Sequence, residues 1–313
     1  MNQLQQTTSN ILMIRPSNFG FNEETAANNS FQNKAQVLSP AQIKKRAIEE
    51  FDNFVTKMRG EGINVIVIED TAQPIKPDAV FPNNWISFHP NGMAITYPMF
   101  AEIRRKERRD DVLEKLKEDF KVEGTIRLEK FEAENRFLEG TGSMILDRVN
   151  KICYACTSPR TDEGLLDIFC EYVEYQKVTF QSVDANGEDI YHTNVMMALG
   201  EDFVVIGMST IKDELQKEML LDLFAKTNKT VIDISFEQIL SFAGNMLQVQ
   251  NKKGETYLVM SQQAFESLTE EQIAAIEKRT KILYSPIEAI ETIGGGSARC
   301  MMAEVFLPEK NGS

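Results

Sequence analysis

A short pattern recurs five times along the chain: a two-strand hairpin, an amphipathic helix and a further strand, with turn signals at matching places. The equivalent positions at the hairpin starts are 58, 52, 51 and 54 residues apart, and they are Asn84, Gly142, Asn194, Asn245 and Arg299. A unit of that length holds one ββαβ module, so we predict an α/β fold of five modules arranged in a ring. The apolar strand at residues 11–14 would complete the last module, and every hairpin would begin near the central axis.

Local signals support this organisation. Ser39 and Pro40 are typical of a helix start, Gly60 is typical of a helix end, and the apolar residues between them fall on one face. A later helix should bury Leu215, Met219, Leu220, Leu223 and Phe224. We expect a strand at residues 230–234 and an extra helical turn at residues 236–242. Residues 1–313 are predicted to form a single domain, with residues 1–10 as a flexible tail.

Charge and composition exclude several classes of partner. The net charge of −13 argues against nucleic-acid binding, and the densest basic segment, residues 104–109, includes Glu107 and is followed by two aspartates. We interpret that segment, with Arg104, as a solvated helix surface. No apolar run approaches the ~20 residues of a membrane span, and the N-terminus lacks a signal-peptide pattern. With no disulfide framework among four cysteines, a cytoplasmic location is expected.

Cys300 directly follows a glycine-rich segment at residues 294–299 and opens an apolar stretch at residues 301–307, which we predict to be a strand. A thiol at a strand start, next to a backbone flexible enough to approach a ligand closely, is well placed for nucleophilic attack. The chain is therefore predicted to be an enzyme with a cysteine nucleophile.

Two further reactive side chains occur at nearly the same phase of the repeat. His192 opens the first strand of the third hairpin, whereas His89 lies in a turn at the opposite end of its hairpin. Glu139 begins the first strand of the second hairpin, and small residues after it leave room for a ligand. Each has a structural alternative, namely a polar residue satisfied at a strand end or a carboxylate bonded to turn amides. The phase shared with Cys300 favours a common catalytic site.

The sequence does not indicate a metal or cofactor. Cys153 and Cys156 form a CxxC pair, but no second pair accompanies it, and residues three apart on a strand point to opposite faces. We interpret both as core residues, as we do Cys170 in a helical stretch. No acidic spacing typical of a metal site and no phosphate-binding glycine loop occurs, so no metal and no cofactor are predicted.

These residues resemble the guanidino-group-modifying superfamily with the pentein, or α/β-propeller, fold. That superfamily includes arginine deiminases, dimethylarginine dimethylaminohydrolases, amidinotransferases and citrulline-utilising hydrolases. The resemblance extends from residues 14–19 to the Cys300 strand, and residues 19–22 and 81–85 look like the citrulline-utilising branch. It implies that Cys300 is the nucleophile, His192 the general acid and base, and Glu139 a carboxylate that orients the substrate and the histidine.

The resemblance also implies a set of substrate-binding residues. Arg160 matches the position whose guanidinium holds the substrate's α-carboxylate, and a surface arginine that caps the next helix is its alternative. Asn22 would belong to a loop over the substrate, and we also assign Arg299, beside the nucleophile, to substrate binding. Asn83, Asn84 and Asn194 complete the set.

Two asparagines at positions where deiminases carry aspartate, together with the resemblance to the citrulline-utilising branch, indicate the substrate. Deiminases usually carry an Arg-Asp pair where this chain has Asn83-Asn84, and an aspartate where it has Asn194. Aspartate pairs with a guanidinium cation, whereas asparagine is neutral and both donates and accepts hydrogen bonds, which suits a ureido group. We therefore predict that citrulline is hydrolysed to ornithine, carbon dioxide and ammonia.

Several alternatives stay open. The chain could be an arginine deiminase or a dimethylarginine dimethylaminohydrolase-like guanidine hydrolase, an amidinotransferase with an acceptor amine, or a non-catalytic binding protein of the same fold. In each catalytic case the expected partner is a small amino-acid substrate. A homodimer is compatible with the sequence.

Overall fold

The structure is a computed structural model that describes residues 4–26, 29, 31–32 and 38–310. The strands in these ranges are β1 (Asn10–Arg15), β2 (Asn64–Glu69), β3 (Ile86–Phe88), β4 (Met93–Thr96), β5 (Gly124–Arg127), β6 (Ile145–Asp147), β7 (Ile152–Cys156), β8 (Gln176–Phe180), β9 (Met197–Leu199), β10 (Phe203–Ile206), β11 (Thr230–Asp233), β12 (Leu247–Gln250), β13 (Thr256–Ser261), β14 (Lys281–Ser285) and β15 (Ala303–Glu304).

The α-helices in the same ranges are α1 (Glu23–Ala26), α2 (Pro40–Gly60), α3 (Asp110–Leu116), α4 (Gly140–Ser143), α5 (Glu163–Val173), α6 (Thr193–Met196), α7 (Glu214–Lys226), α8 (Phe236–Leu240), α9 (Gln262–Ser267), α10 (Glu270–Glu277) and α11 (Glu288–Gly294). Short 3-10 helices cover Pro82–Asn84, Glu102–Glu107, Glu129–Glu134, Met208–Thr210 and Ala298–Met301.

The described strands form five three-stranded sheets that repeat one topology. In each sheet the first two strands are antiparallel, and the last strand pairs with the second in parallel after a crossover, as for β3, β4 and β5. Two of the hairpin turns contain a glycine with a positive φ, Gly92 (80°) and Gly254 (81°), a conformation that such tight reversals need. The structure therefore confirms five ββαβ modules of the pentein type.

The ring closes through the two ends of the chain. Leu12 of β1 is paired with Ala303 of β15 in antiparallel register and with Ile66 of β2 in parallel register. The N-terminal strand thus completes the module that begins at the C-terminus, as predicted. The C-terminal strand is shorter than predicted, because Cys300 lies in the 3-10 turn Ala298–Met301 and only Ala303–Glu304 pair as a strand.

The predicted helices form, but the buried face of one of them differs from the prediction. α2 begins at a capping box in which Ser39 Oγ accepts a hydrogen bond from Gln42 N at 3.4 Å, and its apolar face is buried against β-sheet residues. The predicted face of α7 is partly wrong: Leu220 and Phe224 are buried, whereas Leu215 is 76% exposed. The helical turn predicted near residue 236 is α8.

The expected flexible tail is wrong for the residues just before β1. Gln6 is buried, donates from Nε2 to Leu146 O at 2.9 Å and accepts from Arg148 N at 2.8 Å. Thr8 Oγ1 donates to Val305 O at 3.0 Å. Residues 1–3 of that tail lie outside the described residues.

Cys153, Cys156 and Cys170 are core residues, as predicted. Cys153 and Cys156 lie on β7, are fully buried and pack in two different hydrophobic clusters, as expected for core residues on opposite faces. Cys170 is buried in the same cluster as Cys153. Every helix in the described ranges is too short or too polar to cross a membrane.

Candidate active site

Short helical turns at the module starts bring the predicted residues together. Glu139 is the N-cap residue of α4 and His192 the N-cap residue of α6, while Asn84 ends the 3-10 turn Pro82–Asn84. These turns pack against one another and against the turn that carries Cys300. The sequence predicts these residues at strand starts, and the structure places them one helical turn before the strands.

Cys300 is buried, and its sulfur contacts two carboxamides. Asn194 Nδ2 donates to Cys300 Sγ at 3.4 Å, and Asn245 Nδ2 donates to it at 3.3 Å. The Cys300 backbone N–H donates to Asn245 Oδ1 at 3.4 Å. The thiol is therefore held in one position by groups from two other modules.

His192 and Glu139 form a buried pair in which Nε2 and Oε2 are 2.8 Å apart. A carboxylate can only accept, so Nε2 carries the proton and Nδ1 of the neutral ring is left as an acceptor. Burial lowers the pKa of His192 to about 4, because desolvation outweighs the opposing effect of the hydrogen bond that His192 donates to Glu139. At neutral pH the imidazole is therefore neutral and able to take up a proton.

Glu139 stays ionised. Burial alone would raise its pKa, but the guanidiniums of Arg160 and Arg104 and the hydrogen bond to His192 outweigh it and hold the pKa well below its usual range. Arg160 Nη1 lies 3.5 Å from Glu139 Oε2, and the other carboxylate oxygen accepts from Phe100 N at 2.9 Å. The carboxylate is thus a fixed negative charge behind the histidine.

A second buried charge cluster lies beside this pair. Arg104 donates to both carboxylate oxygens of Glu107 at 2.9 Å and to Asn84 Oδ1 at 3.0 Å, and it lies 3.7 Å from Asp78. Burial raises the pKa of Glu107 to about 7 and also raises that of Asp78, since desolvation exceeds the stabilisation from Arg104. The interpretation of Arg104 as part of a solvated surface is therefore wrong: its side chain is 4% exposed.

A narrow cavity, partly open to solvent, lies beside these groups. It is lined by Thr25, Asn29, Asp78, Phe81, Asn84, Arg104, Arg160, Tyr191, His192, residues 294–296 and Cys300. Residues 294–296 are glycines whose backbone forms one wall of the cavity, called here the glycine wall. The wall packs closely on its neighbours, because a Cβ on Gly294 or Gly296 would lie 2.9 Å from the Phe81 ring. Tyr191 Oη donates to Gly295 O at 3.0 Å, which ties this wall to the turn before His192.

Gly142 has a separate role in the site. A Cβ there would lie 2.3 Å from Asn84 Nδ2 and 2.8 Å from His192 Nδ1. The Asn84 amide and the His192 imidazole therefore both contact the backbone of residue 142. Because a side chain there would collide with them, the site needs glycine at this position.

Four predicted substrate-binding residues do not line the cavity in the described part of the chain. Asn194 contacts the Cys300 sulfur, and Asn83 Nδ2 donates to Thr141 Oγ1 at 3.3 Å. Asn22 Nδ2 donates to Asp78 Oδ2 at 2.6 Å, so it supports a lining residue. Arg299 is turned away, because its guanidinium donates to Met302 O at 2.9 Å and Glu304 Oε2 at 3.0 Å. Its assignment to substrate binding is corrected to a structural role.

Sequence reasoning missed Asp78, Arg104 and Asn245 as site residues. Asn245 had a signal, since it is equivalent to Asn84 and Asn194 in the repeat. Glu107 three residues after Arg104 also suggests a pair on one face, although it does not reveal burial. We find no local signal for Asp78.

The comparisons with known proteins identify the family of the chain and relatives of its fold. The model of a family described as N,N dimethylarginine dimethylhydrolase, eukaryotic, matches residues 15–307. No curated protein sequence gives a significant match.

Several solved structures share the fold. The apo structure of ArgZ, an arginine dihydrolase from the ornithine-ammonia cycle in cyanobacteria, has a TM-score of 0.74 at 14% identity over 96% of this chain. This chain spans only 41% of full-length ArgZ, but it covers 98% of the product-bound N-terminal domain of ArgZ, with a TM-score of 0.70 at 15% identity. A dimethylarginine dimethylaminohydrolase adduct with S-methyl-L-thiocitrulline has a TM-score of 0.63 at 15% identity, covering 95% of this chain and 99% of that one.

Proposed function

The chain belongs to the N,N-dimethylarginine dimethylhydrolase family of pentein C–N hydrolases. We propose that this member hydrolyses citrulline to ornithine, carbon dioxide and ammonia. Cys300 is the proposed nucleophile, His192 the proton carrier and Glu139 the group that orients the histidine. The observation that carries the substrate assignment is the neutral Asn84 amide beside His192.

The charged end of the cavity suits the head of an amino acid. Asp78 Oδ1 is buried without a hydrogen-bond partner among the described residues, which leaves it available to an α-ammonium group. Arg104 and Arg160 supply guanidiniums on the same cavity for an α-carboxylate. The arrangement of both charge signs favours a zwitterion over a simple amine or acid.

The neutral end suits a ureido group. Asn84 Oδ1 is occupied by Arg104, and Asn84 Nδ2 is buried with no partner in the described part of the chain. A buried N–H without an acceptor is costly, and a ureido oxygen would satisfy it. A guanidinium offers only N–H donors at this place and would leave the same amide unsatisfied.

The reaction balances with the groups present. As Cys300 Sγ attacks the ureido carbon, its proton passes to the neutral His192, which then protonates the δ-nitrogen, so that the C–Nδ bond breaks and ornithine leaves. Water then attacks the S-carbamoyl carbon, and His192 takes its proton and returns it to the sulfur. The released carbamic acid decomposes to carbon dioxide and ammonia. Glu139 stabilises the imidazolium in both half-reactions.

A panel of substrates tests the proposal. Purified protein is offered citrulline, arginine, methylated arginines and agmatine separately, and ornithine, citrulline and ammonia are quantified. We expect ornithine and ammonia from citrulline. Cys300→Ser should abolish turnover while retaining citrulline binding by calorimetry, and Cys170→Ser, a buried cysteine outside the cavity, is the matched control. Full turnover by Cys300→Ser, or a preference for guanidines, would contradict the proposal.

Arginine is the second candidate substrate. It is favoured by the structural similarity to ArgZ, which is described as an arginine dihydrolase. If arginine is the substrate, the panel should show ornithine and two ammonia molecules, or citrulline and one, for each arginine consumed.

A further inference from the structure

The sulfur of Cys300 lies between two carboxamides that come from successive modules. Asn194 precedes β9, Asn245 precedes β12, and both are buried. We propose that Asn194 and Asn245 form an amide cradle that stabilises the Cys300 thiolate, with Asn245 as a catalytic residue. The proposal rests on the proposed function only in taking Cys300 as the nucleophile.

The orientation of Asn245 is determined by its neighbours. Asn245 Nδ2 donates to the Asn194 backbone oxygen at 2.8 Å, and Asn245 Oδ1 accepts from the Cys300 backbone N–H at 3.4 Å. A carbonyl oxygen only accepts and a backbone N–H only donates, so the reversed amide would lose both bonds. The N–H group 3.3 Å from the sulfur is therefore held in place before any substrate arrives.

The backbone before Asn245 is shaped for this contact. A Cβ at Gly244 would lie 2.2 Å from Val195 O and 2.8 Å from Met196 Cα. Glycine at this position lets the turn approach α6 closely enough for the Asn245 side chain to reach both Asn194 and the thiol.

The cradle contacts both protonation states of the thiol but favours the thiolate. The neutral thiol donates to Asn245 Oδ1 at 3.6 Å, a long and weak hydrogen bond. The thiolate instead accepts two N–H bonds, from Asn194 and Asn245, and hydrogen bonds to a charged group are roughly twice as strong as neutral ones. Two strengthened bonds outweigh one weak bond.

The charged and titratable groups around the Cys300 sulfur are either paired with other residues or neutral, so stabilisation of the thiolate depends on the two amides. The groups that face it from the surrounding turns are Asp78, Arg104, Arg160, Tyr191 and His192. The two cavity arginines pair with Glu139 and Glu107, and Arg299 pairs with Glu304. Burial lowers the pKa of His192 to about 4, so it is not an imidazolium at neutral pH. Glu291, on the helix before the glycine wall, is bonded to Ser297.

The test measures the rate of Cys300 alkylation by iodoacetamide against pH, with Cys300→Ser as the background. We expect Asn245→Ala to move the midpoint of this profile up by about one pH unit, a tenfold smaller thiolate fraction at neutral pH. Asn245→Asp should move it further, because a carboxylate oxygen would face the thiolate. Asn194→Ser should move it in the same direction. The matched control is Asn251→Ala, which removes a buried asparagine from the far turn of the β12–β13 hairpin.

The outcomes separate this proposal from the proposed function, since alkylation needs no substrate. An unchanged midpoint in folded Asn245→Ala and Asn194→Ser overturns the cradle, as does an equal shift in Asn251→Ala. If Asn245→Ala does not fold, the Asn245→Asp and Asn194→Ser profiles decide in the same way. A shifted midpoint supports the cradle even if citrulline is not turned over.

Discussion

Arg104 is the residue on which the sequence and the structure disagree most, so its replacement is the sharpest test of the buried charge cluster. Arg104→Met keeps most of the side-chain volume but removes the cation that bonds to Glu107 at 2.9 Å and lies 3.7 Å from Asp78 and 4.0 Å from Glu139. Breaking a buried pair by removing one partner costs about 3–5 kcal/mol. We expect a loss of that size in the free energy of unfolding at about pH 8.5.

The loss should depend on pH in a defined direction. The pKa of Glu107 is raised to about 7 in the folded protein, so the stability that it contributes below its unfolded value of 4.5 is lost as the pH rises to about 7. Without Arg104 the pKa of Glu107 in the folded protein rises further. The free energy of unfolding therefore continues to fall above pH 7 in the variant, but not in the parent protein. This adds about 1.4 kcal/mol per pH unit, so Arg104→Met should be about 2 kcal/mol less damaging at neutral pH than at about pH 8.5.

Urea unfolding measures this change, with the fluorescence of the single tryptophan, the buried Trp85, as the signal. Lys106→Met, on the same 3-10 turn but exposed, is the matched control and should be nearly neutral. Adding Glu107→Gln to Arg104→Met should remove most of the pH dependence. If Arg104→Met is as mild as Lys106→Met at both pH values, Arg104 is solvated and the cluster described above does not exist.

Three further outcomes are expected. Gly142→Ala should lower kcat/KM about a hundredfold, because the added Cβ would displace Asn84 and His192. Gly60→Ala is the control, since a Cβ there meets nothing within 4 Å. Near-normal kinetics of Gly142→Ala would show that the close approach at residue 142 is unimportant. Asn84→Asp should raise the arginine-to-citrulline ratio of kcat/KM at least about tenfold, because a carboxylate would then face the reacting group; an unchanged ratio would remove Asn84 from substrate selection. Raising the pH from about 6 to about 8.5 should raise that ratio in the parent as Glu107 loses its proton, and a pH-independent ratio would contradict this linkage.

The ring and its reactive residues were predictable because they depend on local and repeated signals. Turn residues, alternating apolar positions and a period near 50 residues give the module, and closure brings equivalent positions to the axis. Cys300, His192 and Glu139 share that phase, so the repeat places them near one cavity without knowledge of any contact. Asn245 shares it as well and could have been included on the same grounds.

The details that were missed depend on contacts between distant segments. The turns before β6 and β9 are a single helical turn long, too short for any periodicity to show in the sequence. Arg104 is buried against Asp78 and Glu139, which come from distant segments of the chain. A basic run in the sequence does not show that such acidic partners will pack against it. Leu215 illustrates the reverse case: it follows the apolar pattern of α7, yet the helix is rotated so that Leu215 faces solvent.

The charge balance of the cavity connects substrate choice to protonation. Glu139 and Glu107 are matched by Arg160 and Arg104, so Asp78 is the surplus carboxylate. Burial raises the pKa of Glu107 to about 7, so part of the Glu107 population carries a proton near neutral pH. A citrulline zwitterion adds no net charge and leaves that proton in place. An arginine adds one positive charge, which balances the surplus only after the proton has left. We therefore expect low pH to favour a ureido substrate and high pH a guanidinium substrate, with Asn84 as the proposed determinant of the preference at the reacting end.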